Sequence, residues 1–331
     1  MRGPPAGEKA SRRLIESLFA PILFGAQKKP LGNAAHIAMN GTRLAITADS
    51  FVVSPLSFPG GSIGELAVNG TVNDLAVSGA RAETLVVTYV LEAGLATEVL
   101  EAEVRAMARA AAAAGVAIAG GDTKVVEHGK ADRMYITTAG VGRLIPGLQC
   151  SARSARPGDA VLVSGPIGDH GITILLARGE LDIEAELCSD TRPVLPLVEA
   201  LAAAAGPGVR WMRDPTRGGV ATALNEFARD CGLGVLLFEE TVPVRDAVRG
   251  ACELLGLDPL HIANEGQFLA VVAREYAERA LEALRSAPGG QAAQVVGEVR
   301  EQPACAVLGA TAYGGTRIID MLVGDPLPRI C

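Results

Sequence analysis

Aromatic side chains are scarce in this chain, with one Trp, four Tyr and seven Phe among 331 residues. Base-stacking platforms are therefore in short supply, and acid exceeds base by 37 residues to 30, a net charge of −7 that argues against a nucleic-acid surface. The six cysteines (Cys150, Cys188, Cys231, Cys252, Cys305, Cys331) form no Cys-x-x-Cys pair and have no His at zinc-finger spacing. Neither a metal cluster nor a disulfide framework is signalled, and a reducing cytoplasm is the expected compartment. The opening Met1-Arg-Gly-Pro-Pro lacks an apolar export core, and the Ala-rich run at 110–119 is too short and Gly-interrupted to span a bilayer. Also missing are Gly-x-x-x-x-Gly-Lys-Ser/Thr and a post-strand Gly-x-Gly-x-x-Gly, so neither a P-loop nor a dinucleotide fold is supported.

What is present is an Ala/Gly/Val-rich composition, 49% hydrophobic with 39 glycines, long enough for two α/β domains with their own cores. Apolar patterning predicts strands at 44–53, 85–91, 116–119 and 134–141, and helices at 62–78 and 97–114. Ser62-Ile-Gly-Glu65 has the spacing of a capping box. Turn residues cluster around Ile145-Pro-Gly147 and Arg156-Pro-Gly-Asp159, which places a domain boundary near residue 150. A second series follows: strands at 160–164, 234–238, 268–273 and 293–299, helices at 171–178, 194–204, 218–231, 244–255 and 275–286. The expected division is a divergent N-terminal segment at 1–43, domains at 44–150 and 151–322, and a mobile tail at 323–331.

The chain ends on a thiol. Pro326 and Pro328 hold the last residues extended at roughly 3 Å each, so a tail leaving at Gly324 reaches about 20 Å and lets Cys331 visit more than one place. Acidic residues gather at strand ends and helix starts: Asp49 closes a strand, Asp122 follows Gly120-Gly121, and Asp214 precedes Pro215 as a ready N-cap. Asp74 differs, because it lies in an otherwise apolar helix where a buried carboxylate needs a partner. Several such carboxylates converging on a Mg–nucleotide is a joint reading of the set, since Mg²⁺ bridges a few carboxylates to phosphates. Glycine pairs at predicted strand-to-helix turns (Gly60-Gly61, Gly120-Gly121, Gly218-Gly219) offer backbone N–H groups to an anion.

A longer set of motifs is more specific. Thr47-Ala-Asp-Ser-Phe-Val-Val-Ser-Pro-Leu56, Phe58-Pro-Gly-Gly61, Val68-Asn-Gly-Thr-Val-Asn-Asp-Leu-Ala76, Gly120-Gly-Asp-Thr-Lys-Val-Val126, Ser164-Gly-Pro-Ile-Gly-Asp-His-Gly171, Met212-Arg-Asp-Pro-Thr-Arg-Gly-Gly219, Ala263-Asn-Glu-Gly266 and Pro328-Arg-Ile-Cys331 occur in this order. Together they resemble the hydrogenase maturation protein family HypE, from about residue 44 to the end. The resemblance implies a two-domain aminoimidazole ribonucleotide synthetase-like fold whose N-terminal domain pairs in a homodimer, with ATP and Mg²⁺ as cofactors.

It also implies the chemistry: ATP-dependent dehydration of a carbamoyl group on the Cys331 thiol to a thiocyanate. A HypF-like carbamoyltransferase loads the thiol, and the cyanide passes to iron on a HypC–HypD complex for NiFe hydrogenase. Carried over by motif, Asp49, Asp74 and Asp214 hold Mg–ATP, Gly120, Gly121, Asp122, Gly218 and Gly219 belong to the nucleotide site, and Lys124 and Glu265 handle charge and protons. Residues 1–43 depart from the family. A glycine-rich segment of His-Gly-Ser-Gly-Gly type is missing, and the family's Asp-Ala-Ala reads Asn33-Ala-Ala35, so the metal ligand expected there is a neutral oxygen and lower metal affinity follows. A degenerate carrier copy with weak turnover is the alternative this leaves open.

Overall fold

The structure is a computed structural model, and it describes residues 8–23, 32–179, 185–312, 314–322 and 329–331. The chain opens with α1 (Glu8–Leu14), a π-helical turn (Ile15–Phe19) and α2 (Ala20–Leu23). Arg12 fastens this segment to the second domain through Glu226 at 2.7 Å, and Lys9 does so through Asp320 at 2.7 Å.

The first domain is one sheet with two helices. Strands β1 (Ala35–Met39), β2 (Thr42–Phe51), β5 (Ala80–Glu92), β6 (Ala117–Val126) and β7 (Met134–Leu144) are ordered β1-β2-β7-β5-β6, and a two-residue hairpin, β3 (Ser57–Phe58) with β4 (Gly61–Ser62), leads into α3 (Ile63–Val77). Helix α4 (Thr97–Ala114) shows the burial of a surface helix, with Ala106, Met107 and Ala110 inside and Gly115 in the left-handed conformation at its end. By contrast α3 is buried nearly all round, including Asn69, Thr71 and Asn73. A helix sunk between the sheet and the second domain needs its polar groups satisfied across the domain junction, and there they become site residues.

The second domain carries β8 (Ala160–Val163), α5 (Asp169–Ala177), α6 (Leu195–Ala205), β9 (Val209–Arg213), α7 (Gly219–Cys231), β10 (Gly234–Phe238), α8 (Asp246–Leu255), β11 (Leu269–Val272), α9 (Ala277–Ser286), β12 (Gln294–Arg300), β13 (Val307–Ala310) and β14 (Thr316–Ile319). Its seven strands run β14-β13-β10-β12-β8-β11-β9. Val220, Leu224 and Phe227 of α7 pack with one side of this sheet, while Leu197 and Leu201 of α6 and Leu284 of α9 pack with residues of the other. A third cluster joins the first sheet and α3 to Ile172, Val248 and Ile262 of the second domain. Among the described residues no helix is long and apolar enough to cross a membrane.

Two expectations are corrected. The strand at 116–119 does not turn at the glycine pair: β6 continues through Gly120, Gly121 and Lys124 to Val126. Gly121 faces the β5 backbone so closely that a Cβ there would stand 1.7 Å from the Val87 carbonyl oxygen, so this glycine serves strand pairing. The capping box forms only half-way. The Ser62 hydroxyl caps nothing, although Glu65 accepts from the Ser62 backbone N–H.

Candidate active site

Three aspartates meet where the domains touch. Asp49 comes from β2, Asp74 from the last turn of α3 and Asp214 from the turn after β9. Desolvation raises all three carboxyls, Asp49 included although its side chain keeps an exposed face, and for Asp74 the rise is large, reinforced by the charges of Asp214 and Asp49. Asn33 sits between two of them, its amide nitrogen donating to Asp74 Oδ1 at 2.5 Å and also to Asp214 Oδ1. Thr47 Oγ1 adds contacts to Asp74 Oδ2 at 2.9 Å and to the Asn33 carbonyl at 2.6 Å.

The Asn33 amide faces the two carboxylates with its nitrogen. Asn33 was expected to offer its oxygen, but two flanking carboxylates are acceptors and select the donor end of the amide. Among the described residues no three His, Cys, Asp or Glu groups stand at metal-holding spacing. Gly218 and Gly219 do form the expected strand-to-helix turn, both with positive φ at the start of α7, and a Cβ on Gly219 would stand 2.6 Å from the Leu260 and Ile262 carbonyl oxygens.

Glu265 lies on the loop before β11, 3% exposed. Asn264 ties this loop down: its side-chain nitrogen donates to the Pro215 carbonyl at 2.9 Å and its oxygen accepts from the Gly168 N–H at 2.7 Å. Asn73 donates to the Glu265 carbonyl at 3.0 Å, and the Glu265 N–H donates to Asp190 Oδ1 at 3.0 Å. The backbone is thus held from three sides while Oε1 makes no hydrogen bond. Burial, then the charges of Asp214, Asp190, Asp49 and Asp74, pushes the carboxyl well above the usual range. A carboxyl so raised can hold or accept a proton near neutral pH. Of Asn73, Asn264 and Asp190, only Asn73 carries a signal in the sequence, as a polar residue within the otherwise apolar α3.

The last three residues lie in the same junction. Residues 323–328, the greater part of the expected mobile tail, lie outside the described residues, but Arg329, Ile330 and Cys331 lie against the chain just past β2. Val52 N–H donates to the Cys331 carbonyl at 3.1 Å, Ser54 N–H to the Arg329 carbonyl at 3.3 Å, and Arg329 Nε to the Val52 carbonyl at 3.2 Å. Ile330 is 4% exposed and joins the core beneath. Cys331 therefore sits at the exit of the strand that carries Asp49. Neighbouring Phe51 packs on Gly70, where a Cβ would meet the ring at 2.8 Å and Glu265 Oε2 at 3.9 Å.

Lys124 is not in this cluster. It pairs with Asp122 at 2.6 Å on exposed β6, and the register Asp49–Thr138–Val87–Gly121 puts β6 three strand spacings, about 14 Å, from β2. Within one chain Lys124, Asp122, Gly120 and Gly121 are therefore apart from Asp49, Asp74, Asp214 and Glu265.

Known proteins share this sequence pattern and fold. Residues 31–144 match the profile of the AIR synthase related protein N-terminal domain, and 156–309 that of the AIR synthase related protein C-terminal domain. The carbamoyl dehydratase HypE of Azotobacter vinelandii is 48% identical over 326 residues, covering 98% of this chain and 95% of the relative. The chain belongs to the HypE family. Among solved structures, HypE in a HypE–HypF complex superposes with a TM-score of 0.88 at 44% identity, over 93% of this chain and 99% of that one. The hydrogenase maturation protein HypE in complex with ATP gives 0.84 at 44% identity, over 99% and 98%. The two-domain α/β fold is that of the HypE family throughout.

Proposed function

We propose that this chain dehydrates a carbamoyl group on its own Cys331, with ATP, to a thiocyanate that supplies cyanide for NiFe hydrogenase. The single observation that carries this is the docking of Cys331 beside β2, in the same junction as Asp49, Asp74, Asp214 and Glu265.

ATP and Mg²⁺ fit the residues on their chemistry. Desolvation raises Asp74, Asp214 and Asp49, the charge of Asp214 adds to the rise of the other two and that of Asp49 to the rise of Asp74, hard carboxylate oxygens suit Mg²⁺, and this ion commonly uses only one or two carboxylates with substrate phosphates. The Asn33 nitrogen already occupies the point between Asp74 and Asp214 where a cation would be welcome, and Gly218 and Gly219 present the α7 N-terminus beside them. When bound, ATP phosphorylates the carbamoyl oxygen so that it leaves as phosphate rather than hydroxide.

The chain's own residues do the rest. Cys331 holds the group covalently by a bond that persists throughout: Cys–S–C(=O)–NH₂ and ATP become Cys–S–C≡N, ADP and phosphate. Glu265 Oε1, buried and without a hydrogen bond, accepts a nitrogen proton as the C≡N bond forms.

Lys124 enters only from a second copy. Strand β6 is an exposed edge, with Ile118 and Val125 40% and 68% exposed beside a cavity of about 610 Å³ lined by Val87, Tyr89, Met107 and Gly121. Open edges of this kind favour strand pairing, so residues 44–150 are read as the nucleotide-binding and dimerisation domain, 151–322 as the C-terminal domain, and Lys124 as a residue acting across the dimer. The HypE–HypF complex of a relative supports a HypF-like donor, and a HypC–HypD-like complex is the proposed acceptor.

The test is intact-mass measurement of protein carbamoylated at Cys331. With Mg–ATP the mass falls by one water, and without ATP it does not. No loss in either case favours the carrier reading that Asn33 leaves open.

A further inference from the structure

We propose that His170 and Arg178 are positioning residues that read the backbone of the last three residues and fix Cys331 in one register against Val52. His170 Nε2 stands 3.0 Å from the Ile330 carbonyl, which can only accept, so Nε2 carries the hydrogen. Nδ1, 2.7 Å from Ser189 Oγ, is then the acceptor of the serine hydroxyl, and that oxygen in turn receives the Thr191 N–H at 3.2 Å. The tautomer is thus set from behind. The ring is fully buried, stacked edge-on to Phe58 at 5.6 Å, and burial pushes its pKa down to about 4, which keeps it neutral.

Arg178 works from the end of α5. Nε donates to the Ser54 carbonyl at 3.1 Å and Nη2 to the Arg329 carbonyl at 3.0 Å, bridging the rigid wall to the tail. Arg329 is further paired with Asp132. Both readers address carbonyls, and Ile330 is the one side chain sunk into the core, so a register shift of one residue would put Cys331 in the Ile330 socket.

His170 contacts Ser189 and the Ile330 carbonyl, and Arg178 contacts the Ser54 and Arg329 carbonyls, so their role in holding the tail is separable from ATP chemistry. The consequence for turnover rests on the function proposed above, whereas the accessibility of the thiol does not. The full-length protein is treated with N-ethylmaleimide and the rate at Cys331 followed by peptide mass mapping, with exposed Cys305 as internal reference. Arg178→Met and His170→Leu each speed Cys331 alkylation about five-fold, the weight of one net hydrogen bond, with Cys305 unchanged. His170→Gln, which keeps a donor at the Nε2 position, stays near wild type. In the carbamoylated protein the same variants lower kcat in parallel and leave KM for ATP unchanged.

Equal Cys331 rates in wild type, Arg178→Met and His170→Leu overturn the proposal, and so does His170→Gln reacting as fast as His170→Leu. Should Leu at the buried position 170 unfold the protein, Arg178→Met decides alone, since Arg178 lies outside the core. Altered thiol rates with no water loss in any variant would remove the proposed function and keep the latch.

Discussion

Asn33 shows how much one side chain can alter. An amide between Asp74 and Asp214 supplies a hydrogen-bond donor where an aspartate would add a third negative charge. In a chelator-treated sample Asn33→Asp therefore lowers Tm, because it removes the donor and adds repulsion. With Mg²⁺ present the order reverses, since the added oxygen charge binds the ion, and the rise in Tm on adding Mg²⁺ is larger than in wild type. Differential scanning fluorimetry with and without Mg²⁺ reads both. Glu265 illustrates the same junction from the other side. Glu265→Gln keeps its size and removes the proton acceptor, so turnover falls by about 10² to 10⁴ while the fold is retained. Single-turnover mass measurement gives the size of that fall.

At the scale of elements, β6 and the tail matter most. Gly121→Ala forces a Cβ against the Val87 carbonyl and costs about 3 kcal/mol or more, whereas Gly120→Ala, with open space at its Cβ position, is close to neutral. Denaturant melts of the two variants separate these cases. Tail docking is a balance of similar quantities. Ordering three residues costs about 1–2 kcal/mol each, and it is offset by five hydrogen bonds of about 0.5–1.5 kcal/mol each and burial of Ile330, about 1.5–3 kcal/mol. A segment held this weakly can dock and leave, as a group loaded and emptied elsewhere requires. The helix at 97–114 and the strand at 234–238 were legible to the residue, because their periodicity and bounding glycines are local signals. Residues 117–126 were not, since of the glycine pair that reads as a turn Gly121 is there for close pairing with β5. The N-terminal helices, β1, β9, β13 and β14 also went unread, being short or in sequence without a clear period.

For the whole molecule, the charge set at the domain junction makes stability depend on pH. Asp49, Asp74, Asp214 and Glu265 all have folded pKa values above their ordinary values of 3.8 and 4.5, so between those values and the raised ones the folded protein binds more protons than the unfolded. The stability these four groups contribute is therefore full below the ordinary carboxylate range and is lost as pH rises through the raised pKa values. In metal-free protein this contribution shows as a fall in Tm as pH rises above the ordinary carboxylate range, and Glu265→Gln flattens that fall. Motifs in the sequence located Asp49, Asp74, Asp214, Glu265 and Cys331, which the fold gathers. They could not show that Lys124 stands on the far edge of the sheet, because strand order is set by pairing between distant segments.

The central claim is that Cys331 carries the substrate of the site it docks in. It is tested most directly by placing heavy oxygen in the carbamoyl group on Cys331, adding Mg–ATP, and analysing the inorganic phosphate released. The account predicts heavy oxygen in the phosphate in step with loss of one water from the tail, because the carbamoyl oxygen leaves bonded to phosphorus. Phosphate free of the label, with the carbamoyl group intact or returned to water, would contradict it.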